Sequence, residues 1–295
     1  MSQTDTTAPR YRGAYRIAQI SDSHLSATHA YFVDNFRVLA DEIAAAAPDL
    51  VVHSGDVSFN GPSAEADLAF GREEMGRITP RWRIIPGNHD VGEAPRYSRL
   101  EQPLTDARIA AWRRTFGSPW WVEDVAAWRL VGIDTSLFAS DRPEESEQTA
   151  FLKEALATRG ARPVLLFMHM PPFVDDANEQ GGGTSAIPLE SRLAFLDTCR
   201  EGGVRAIACG HLHVYRHMTW QGIDIVWAPC TSFVNIAKWL KRFGGFARSG
   251  FVEWTLDGTS LSHRLVEPPR LFTHDTGLWS ERYGTVTKLP PRLLT

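Results

Sequence analysis

Short apolar segments alternate with segments of helical periodicity over the first two thirds of the chain, and this alternation constrains the fold more than any other feature. The apolar runs at 50–53 and 164–168 have the length and composition of buried strands. The segment 31–47 instead places apolar residues three and four positions apart, and Pro48 ends it. Strands that alternate with helices in this way are typical of an α/β fold.

The same reasoning locates the remaining elements. Predicted strands of the alternating part cover residues 15–21, 50–53, 82–86, 128–134, 164–168 and 204–209. Predicted helices cover residues 31–47, 62–78, 105–116, 145–158 and 189–200. After His211 the pattern changes to short strands at 214–220, 223–228, 251–256 and 260–266, with tight turns at 221–222 and 257–258. This last pattern is typical of an antiparallel meander, so we predict large mixed sheets.

Composition and charge exclude several classes of protein. A chain of 295 residues with a net charge of −4 can bury a sizeable core and carries no strong signal for nucleic-acid binding. Its three cysteines are widely spaced and form neither a disulfide framework nor a CxxC zinc site. Residues 1–13 are polar, and no window has the roughly 20 apolar residues of a membrane span. We therefore expect a cytoplasmic protein with a flexible N-terminal arm at 1–13.

Five polar segments each follow the end of a predicted strand. They are Asp22-Ser23-His24, Gly55-Asp56, Gly87-Asn88-His89-Asp90, His169 and Gly210-His211-Leu212-His213. In open α/β sheets, ligands bind outside the carboxyl ends of the strands. The five segments are therefore predicted to form one site.

The side chains of these segments are those of a transition-metal site. Carboxylate, amide and imidazole donors without thiolates favour Mn, Fe, Zn or Co. The Asp56 carboxylate has two oxygens and could bridge two ions about 3.5–4 Å apart. Two divalent ions, two carboxylates and one hydroxide leave the centre at about +1, a charge that suits phosphate esters without separating diesters from monoesters. Glycines at 55, 87 and 210 would let the backbone approach the ions closely.

In order and residue type, the five segments resemble the metallophosphoesterase (calcineurin-like) superfamily, particularly its branch related to class III cyclic-nucleotide phosphodiesterases. The resemblance covers about residues 15–220. It implies two mixed β-sheets packed as a sandwich and flanked by helices, in four α/β/β/α layers. Ser54 and Val57 are small departures, because threonine and leucine are frequent there in the family. Residues 14–267 would form the metallophosphoesterase domain, and 268–295 an extension that packs on it or is mobile.

The resemblance also implies a role for each site residue. One ion would bind Asp22, His24, Asp56 and His213, and the other would bind Asp56, Asn88, His169 and His211. A hydroxide activated by the two ions would attack phosphorus. His89, adjacent to a ligand but not a ligand in the family, would contact the phosphate and assist the leaving alkoxide.

The expected function is metal-dependent hydrolysis of cyclic nucleotides or other small phosphodiesters such as glycerophosphodiesters. A phosphomonoesterase or nuclease on the same two-metal site is the nearer alternative, and a non-catalytic partner-binding scaffold is the distant one. The expected partner is a small phosphodiester, and a homodimer stays open.

The sequence also suggests roles for several other residues and for two loops. His53 is expected to pack in the core, and Asp90 to be structural. Asp134 either orients a metal-bound histidine or caps a turn. The loop 174–188 could be an active-site lid or an ordinary surface loop, and 231–250 could wall the pocket, form a dimer contact, lie on a membrane or pack on the core.

Overall fold

Two β-sheets form the centre of the protein in the computed structural model, which describes residues 13–79, 81–98, 101–180, 183–279 and 286–294. The strands are β1 (Tyr15–Ile20), β2 (Leu50–His53), β3 (Trp82–Ile84), β4 (Trp121–Val125), β5 (Trp128–Gly132), β6 (Val164–Phe167), β7 (Val204–Cys209), β8 (Arg216–Trp220), β9 (Ile223–Trp227), β10 (Phe233–Val234), β11 (Phe251–Asp257), β12 (Ser260–Val266) and β13 (His274–Asp275). The helices are α1 (Val33–Ala46), α2 (Glu65–Met75), α3 (Asn88–Val91), α4 (Asp106–Phe116), α5 (Pro143–Ala157), α6 (Leu189–Glu201) and α7 (Ile236–Phe243).

The first sheet has the strand order β12-β11-β1-β2-β3, and the second has the order β4-β5-β6-β7-β9-β8. In the first sheet β1, β2 and β3 run parallel, and β11 lies antiparallel to β1. In the second sheet β5, β6, β7 and β9 run parallel, with β4 and β8 antiparallel at the two edges. Both sheets are therefore mixed, as predicted.

The prediction of one antiparallel C-terminal meander is wrong, because its four strands form two hairpins that lie in different sheets. Strands β8 and β9 form one hairpin. It belongs to the second sheet because β9 pairs in parallel with β7. Strands β11 and β12 form another hairpin in the first sheet, where β11 pairs with β1. Sequence periodicity identifies each hairpin but does not specify which sheet edge it extends.

Apolar side chains fill three layers of core. Between the sheets, Ile17 and Trp254 of the first sheet belong to one buried cluster with Leu165 and Val226 of the second. Helices α1, α2 and α4 cover the outer face of the first sheet, and α5 and α6 cover that of the second. This arrangement confirms the predicted four-layer α/β/β/α sandwich.

The predicted helices and strands agree with the observed ones to within about three residues at each end. Strand β4 is missing from the prediction because Glu123 and Asp124 interrupt its apolar pattern at the edge of the sheet. Among the described residues, no helix has the length and apolar character needed to cross a membrane.

The chain's last described segment, 286–294, lies against the loop that follows the first metal-site residues. The amide of Ala30 donates to the carbonyl of Arg292 over 2.8 Å, and the amide of Leu294 donates to that of Ala27 over 3.1 Å. Leu289 is buried. Residues 1–12 of the predicted N-terminal arm lie outside the described ranges.

Candidate metal centre

The seven predicted ligand side chains come together where the carboxyl ends of the two sheets meet. In the first sheet, the loops after β1 and β2 carry Asp22, His24 and Asp56, and Asn88 is the first residue of α3, which follows β3. Loops after β6 and β7 of the second sheet carry His169, His211 and His213. Six of these residues are buried, and His211 is partly exposed.

The first group of donors consists of Asp22, His24 and His213. Nε2 of His213 lies 3.2 Å from Oδ1 of Asp22 and 3.3 Å from Nε2 of His24. The second group consists of Asn88, His169 and His211. Nε2 of His169 lies 3.2 Å from Oδ1 of Asn88 and 3.2 Å from Nδ1 of His211.

Asp56 lies between the two groups. Its Oδ2 is 3.2 Å from Nε2 of His169 and 3.8 Å from Nε2 of His24, so one carboxylate oxygen faces both groups. Its Oδ1 accepts a hydrogen bond of 2.8 Å from the amide of His89. Asp56 therefore lies within contact distance of both donor groups.

The spacing of the donors fits metal ions. Around an ion with bonds of about 2.0–2.1 Å, neighbouring donors in a tetrahedral or octahedral arrangement lie about 2.8–3.4 Å apart. Five donor pairs fall at 3.2–3.3 Å: four within the two groups and one between Asp56 and His169. The donor set of carboxylate, amide and imidazole is also one that divalent transition metals bind.

Three of the histidines are oriented by backbone carbonyls. Nδ1 of His169 bonds the carbonyl of Ser54 at 2.8 Å, and Nδ1 of His213 bonds that of Phe233 at 2.6 Å. Nε2 of His211 bonds the carbonyl of Thr184 at 2.9 Å. A carbonyl only accepts, so each ring donates one N–H outward and presents its other nitrogen to the centre.

The loops at the site adopt a backbone that is rare for residues with side chains. Asp22, His24, Asp56, His211 and His213 all have positive φ, between 46° and 72°. Such conformations cost free energy and persist only where surrounding structure fixes them, which is typical of functional sites.

Two glycines permit a close approach of the loops. A Cβ on Gly55, whose φ is +101°, would lie 2.5 Å from Nδ1 of His169. A Cβ on Gly87 would collide with the carboxylate of Asp56. Glycine at both positions therefore leaves room for candidate ligand side chains, and the close approach of the backbone to metal ions stays a prediction.

In the metal-free protein, protons balance the two carboxylates. Burial alone would lower the pKa of His169, but Asp56 and Asp22 outweigh it and raise that pKa to about 9. Burial likewise opposes the charge on Asp22, but His213 holds its pKa well below the usual range. Burial and the neighbouring His169 lower the pKa of His211 to about 4. Bound cations would take over the role of these protons.

His89 lies at the edge of the centre and is partly exposed. Its Nδ1 bonds the carbonyl of Phe59 at 3.0 Å, which leaves Nε2 as the nitrogen available to a ligand. Its ring packs edge-on against His24, with centroids 4.6 Å apart. The hydrogen bond from the backbone amide of His89 to Asp56 holds His89 next to that carboxylate.

Buried polar residues behind the centre hold the loops together. Asp90 accepts hydrogen bonds from the amide of Gly87 at 2.9 Å and from the amide and hydroxyl of Ser58 at 2.8 and 2.7 Å. His53 is buried, and its Nε2 bonds the hydroxyl of Ser23 at 2.9 Å. Asp90 and His53 therefore have the structural positions that the sequence predicted.

Asp134 caps a turn. Its Oδ1 accepts the amide of Ser136 at 2.8 Å, at the start of the short 3₁₀ helix Thr135–Leu137. Burial raises the pKa of Asp134 to about 7. The observed contact agrees with the capping interpretation.

Both loops whose role the sequence left open, 174–188 and 231–250, contact the centre. The carbonyl of Thr184 bonds His211, as described above, although residues 181–182 of that loop lie outside the described ranges. Buried Arg192 of α6 donates to the carbonyls of Glu179 and Ile187, at 2.8 and 3.0 Å, and so holds both ends of the loop. In the other loop, Trp239 of α7 packs edge-on against His213, with centroids 5.0 Å apart.

The family model of calcineurin-like phosphoesterases matches residues 15–215 of the sequence. The chain therefore belongs to this family and is a hydrolytic enzyme. The chain is 28% identical over 285 residues to a probable glycerophosphodiester phosphodiesterase, GpdQ, of Arcobacter nitrofigilis, covering 92% of this chain and 91% of that one. It is also 28% identical over 227 residues to the 3',5'-cyclic adenosine monophosphate phosphodiesterase CpdA of Escherichia coli K12, covering 73% and 76%.

Solved structures support the fold. A purple acid phosphatase from yellow lupin superposes with a TM-score of 0.63 at 15% identity, covering 98% of this chain and 58% of that one. A dimetal phosphatase from Danio rerio superposes with a TM-score of 0.57 at 14% identity, covering 86% and 96%. Both are similar in architecture at low sequence identity, so the comparison concerns the fold alone.

Proposed function

We propose that the protein is a phosphodiesterase that acts on small phosphodiesters at a centre of two metal ions. The observation that carries the proposal is the position of Asp56 Oδ2, which faces His169 of one donor group and His24 of the other. One ion would be held by Asp22, His24, Asp56 and His213, and the second by Asp56, Asn88, His169 and His211. When bound, the ions supply Lewis-acid activation of water and of the phosphoryl group.

The residues of the chain then supply binding and proton transfer. The ring of His89 is held by the carbonyl of Phe59, and its backbone amide donates to the carboxylate of Asp56. From this position the side chain would contact a bound phosphate and assist the leaving oxygen. The buried loops around Asp56 and Asn88 exclude bulk water, which strengthens the attraction between the centre and an anionic substrate. Asn88 contributes an uncharged donor, so the site keeps a net positive charge when two divalent ions are bound.

The substrate class is supported by two relatives. GpdQ of Arcobacter nitrofigilis and CpdA of Escherichia coli are named for glycerophosphodiesters and for cyclic adenosine monophosphate, and both substrates are small diesters. We extend this class to the present chain. Mn, Fe, Zn and Co are the metals to which the donor set points.

A substrate panel with defined metals tests the proposal. Metal-depleted protein is reloaded with Mn, Fe, Zn or Co, and turnover of bis-(4-nitrophenyl) phosphate is compared with that of 4-nitrophenyl phosphate. Cyclic nucleotides and glycerophosphodiesters follow. We expect faster turnover of the diester with at least one metal, whereas equal or faster monoester turnover would favour a phosphomonoesterase on the same centre.

We also propose that residues 14–267 form the hydrolase domain, with 268–295 as an extension, and that the enzyme works in the cytoplasm. The buried side chains of Cys199, Cys209 and Cys230 are free thiols, which suits a reducing compartment. The contacts of residues 286–294 with the loop 27–30 favour an extension that packs on the domain.

A further inference from the structure

A basic segment without acidic residues lies beside the metal centre. Residues 231–250 contain Lys238, Lys241, Arg242 and Arg248 but no aspartate or glutamate, in a chain whose net charge is −4. All four cationic residues are exposed. A local excess of positive charge on an acidic protein indicates an anionic partner.

The same segment exposes large apolar side chains. Ile236 and Leu240 are four residues apart on one face of α7 and are 36% and 38% exposed, and Phe246 is 61% exposed. These three side chains line one groove of about 310 Å³ together with Thr273. Scattered apolar residues are ordinary on a protein surface, whereas a shared groove is typical of a contact surface.

Two further exposed apolar side chains lie on the neighbouring chain segment. The turn Thr276–Leu278 packs against α7, and the side chain of Leu278 is 85% exposed. Phe272, next to the groove residue Thr273, is 65% exposed. We call the exposed apolar and basic side chains of this region the α7 surface; they are Ile236, Leu240, Phe246, Phe272 and Leu278 with Lys238, Lys241, Arg242 and Arg248.

We propose that the α7 surface binds the interface of a membrane that contains anionic lipids. Apolar side chains flanked by long cationic ones are the composition of an interfacial helix, in which the rings and aliphatic groups enter the acyl boundary. Lysine and arginine side chains extend to the headgroup layer and attract anionic lipids there.

A symmetric contact with a second copy of the chain fits this surface less well. In a two-fold dimer the same patch would face itself, so the four cationic side chains would oppose their own copies. Among the described residues Glu267 pairs with Arg248, whereas Lys238, Lys241 and Arg242 form no ion pair, so most of this repulsion would remain. Asp275 accepts the amides of Ile236 and Gly277 at 3.2 and 2.9 Å, and Glu267 lies 3.7 Å from Arg248.

Membrane binding would place the metal centre close to the headgroup layer. Trp239, on the same helix as the apolar face, contacts His213 of the centre. Diesters released at or held in the lipid surface would then meet the site within a short distance. Attachment through the α7 surface does not depend on which substrate the centre hydrolyses.

Vesicle cosedimentation of the full chain tests the proposal. Vesicles of phosphatidylcholine are compared with vesicles of phosphatidylcholine and phosphatidylglycerol. We expect binding to the anionic vesicles only, and a loss of about 30-fold in affinity in the double variant Lys238→Gln, Lys241→Gln. The matched control is Lys153→Gln, Arg205→Gln, which removes two exposed cations from α5 and β7 and should bind like the wild type.

A second variant, Phe246→Ser, tests the apolar part without changing charge. It should weaken binding to anionic vesicles while turnover of bis-(4-nitrophenyl) phosphate in solution stays unchanged. No binding by the wild-type protein, or equal binding to both kinds of vesicle, overturns the proposal. Dimerisation that Phe246→Ser abolishes, seen by sedimentation velocity, would show instead that the surface joins two copies of the chain.

Discussion

The carbonyl oxygen of Phe233 lies 2.6 Å from Nδ1 of His213, so the start of the 233–250 segment orients a candidate metal ligand. The bond directs the other ring nitrogen of His213 towards Asp22 and His24. The loop that carries the exposed α7 therefore also supports the centre. Changes that displace the backbone at Phe233 are expected to affect metal binding without touching a ligand.

Replacing Asp56 by asparagine should lower both metal content and activity. The amide carries no charge and cannot replace a carboxylate oxygen shared by His24 and His169. Supporting residues alone change metal affinity by about 10- to 100-fold, so we expect a loss of activity of at least about 100-fold. Elemental analysis measures the metal, with exposed Asp197→Asn as control, and a variant that kept two metal equivalents would contradict the bridging role.

Replacing His89 by alanine should leave metal content unchanged and lower kcat by about 10²- to 10⁴-fold, the usual contribution of an acid–base group. The deficit should be larger for diesters with an alkyl leaving group than for nitrophenyl esters, whose leaving group needs no proton. Steady-state kinetics on both kinds of diester provide the measurement, with exposed His217→Ala as the matched control. An equal deficit on both would argue against proton transfer by His89.

Alanine at Gly55 and at Gly117 separates backbone strain from damage to the site. Both positions have positive φ, +101° and +88°, so each substitution should cost at least about 1–3 kcal/mol of stability. Only at Gly55 would the new Cβ meet His169, whereas Gly117 has open space. Thermal unfolding should shift in both variants, but metal content and activity should fall in Gly55→Ala alone.

Replacing Arg192 by methionine should loosen the loop that carries Thr184. The buried carbonyls of Ala177 and Ile187 would lose this donor, at a cost of about 1–3 kcal/mol for each group left buried and unpaired. Because Thr184 orients His211, metal affinity should fall together with the unfolding temperature. Arg200→Met on the same helix, exposed and paired with Asp197, should change neither quantity.

The buried carboxyl of Asp134 predicts a pH-dependent gain in stability for Asp134→Asn in chelator-treated protein. The pKa of Asp134 is raised from 3.8 to about 7 on folding, so wild-type stability falls as the pH rises through this range. The variant keeps the capping oxygen but does not ionise. Urea unfolding should therefore show little difference near pH 4 and a gain of up to about 4 kcal/mol for the variant at pH 8. A gain that did not depend on pH would point to packing instead.

The sequence allowed the site to be predicted because each donor follows an apolar strand, and parallel strands bring their carboxyl ends together. Asp22, Asp56 and His169 are clear examples, since each stands two or three residues after a buried strand. Their convergence is observed, and their role as metal ligands is the proposal that the Asp56 variant tests.

The groups that orient the histidines could not be predicted in the same way. The partners supplied by Ser54, Thr184 and Phe233 are backbone carbonyls, which every residue has, so residue type carries no signal. Sheet membership of the two C-terminal hairpins was missed for a related reason. It depends on which strand edge is free in three dimensions, and local periodicity does not contain that information.

The donors of the centre are divided between the two sheets, with Asp22, His24, Asp56 and Asn88 on one and His169, His211 and His213 on the other. Cations bound there would link the two sheets, because each sheet supplies part of the ligand set. Resistance to heat should then rise with the logarithm of free metal concentration, because only the folded chain presents both sets of ligands. Purification in chelating buffers should therefore lower the thermal stability of the protein as well as its activity.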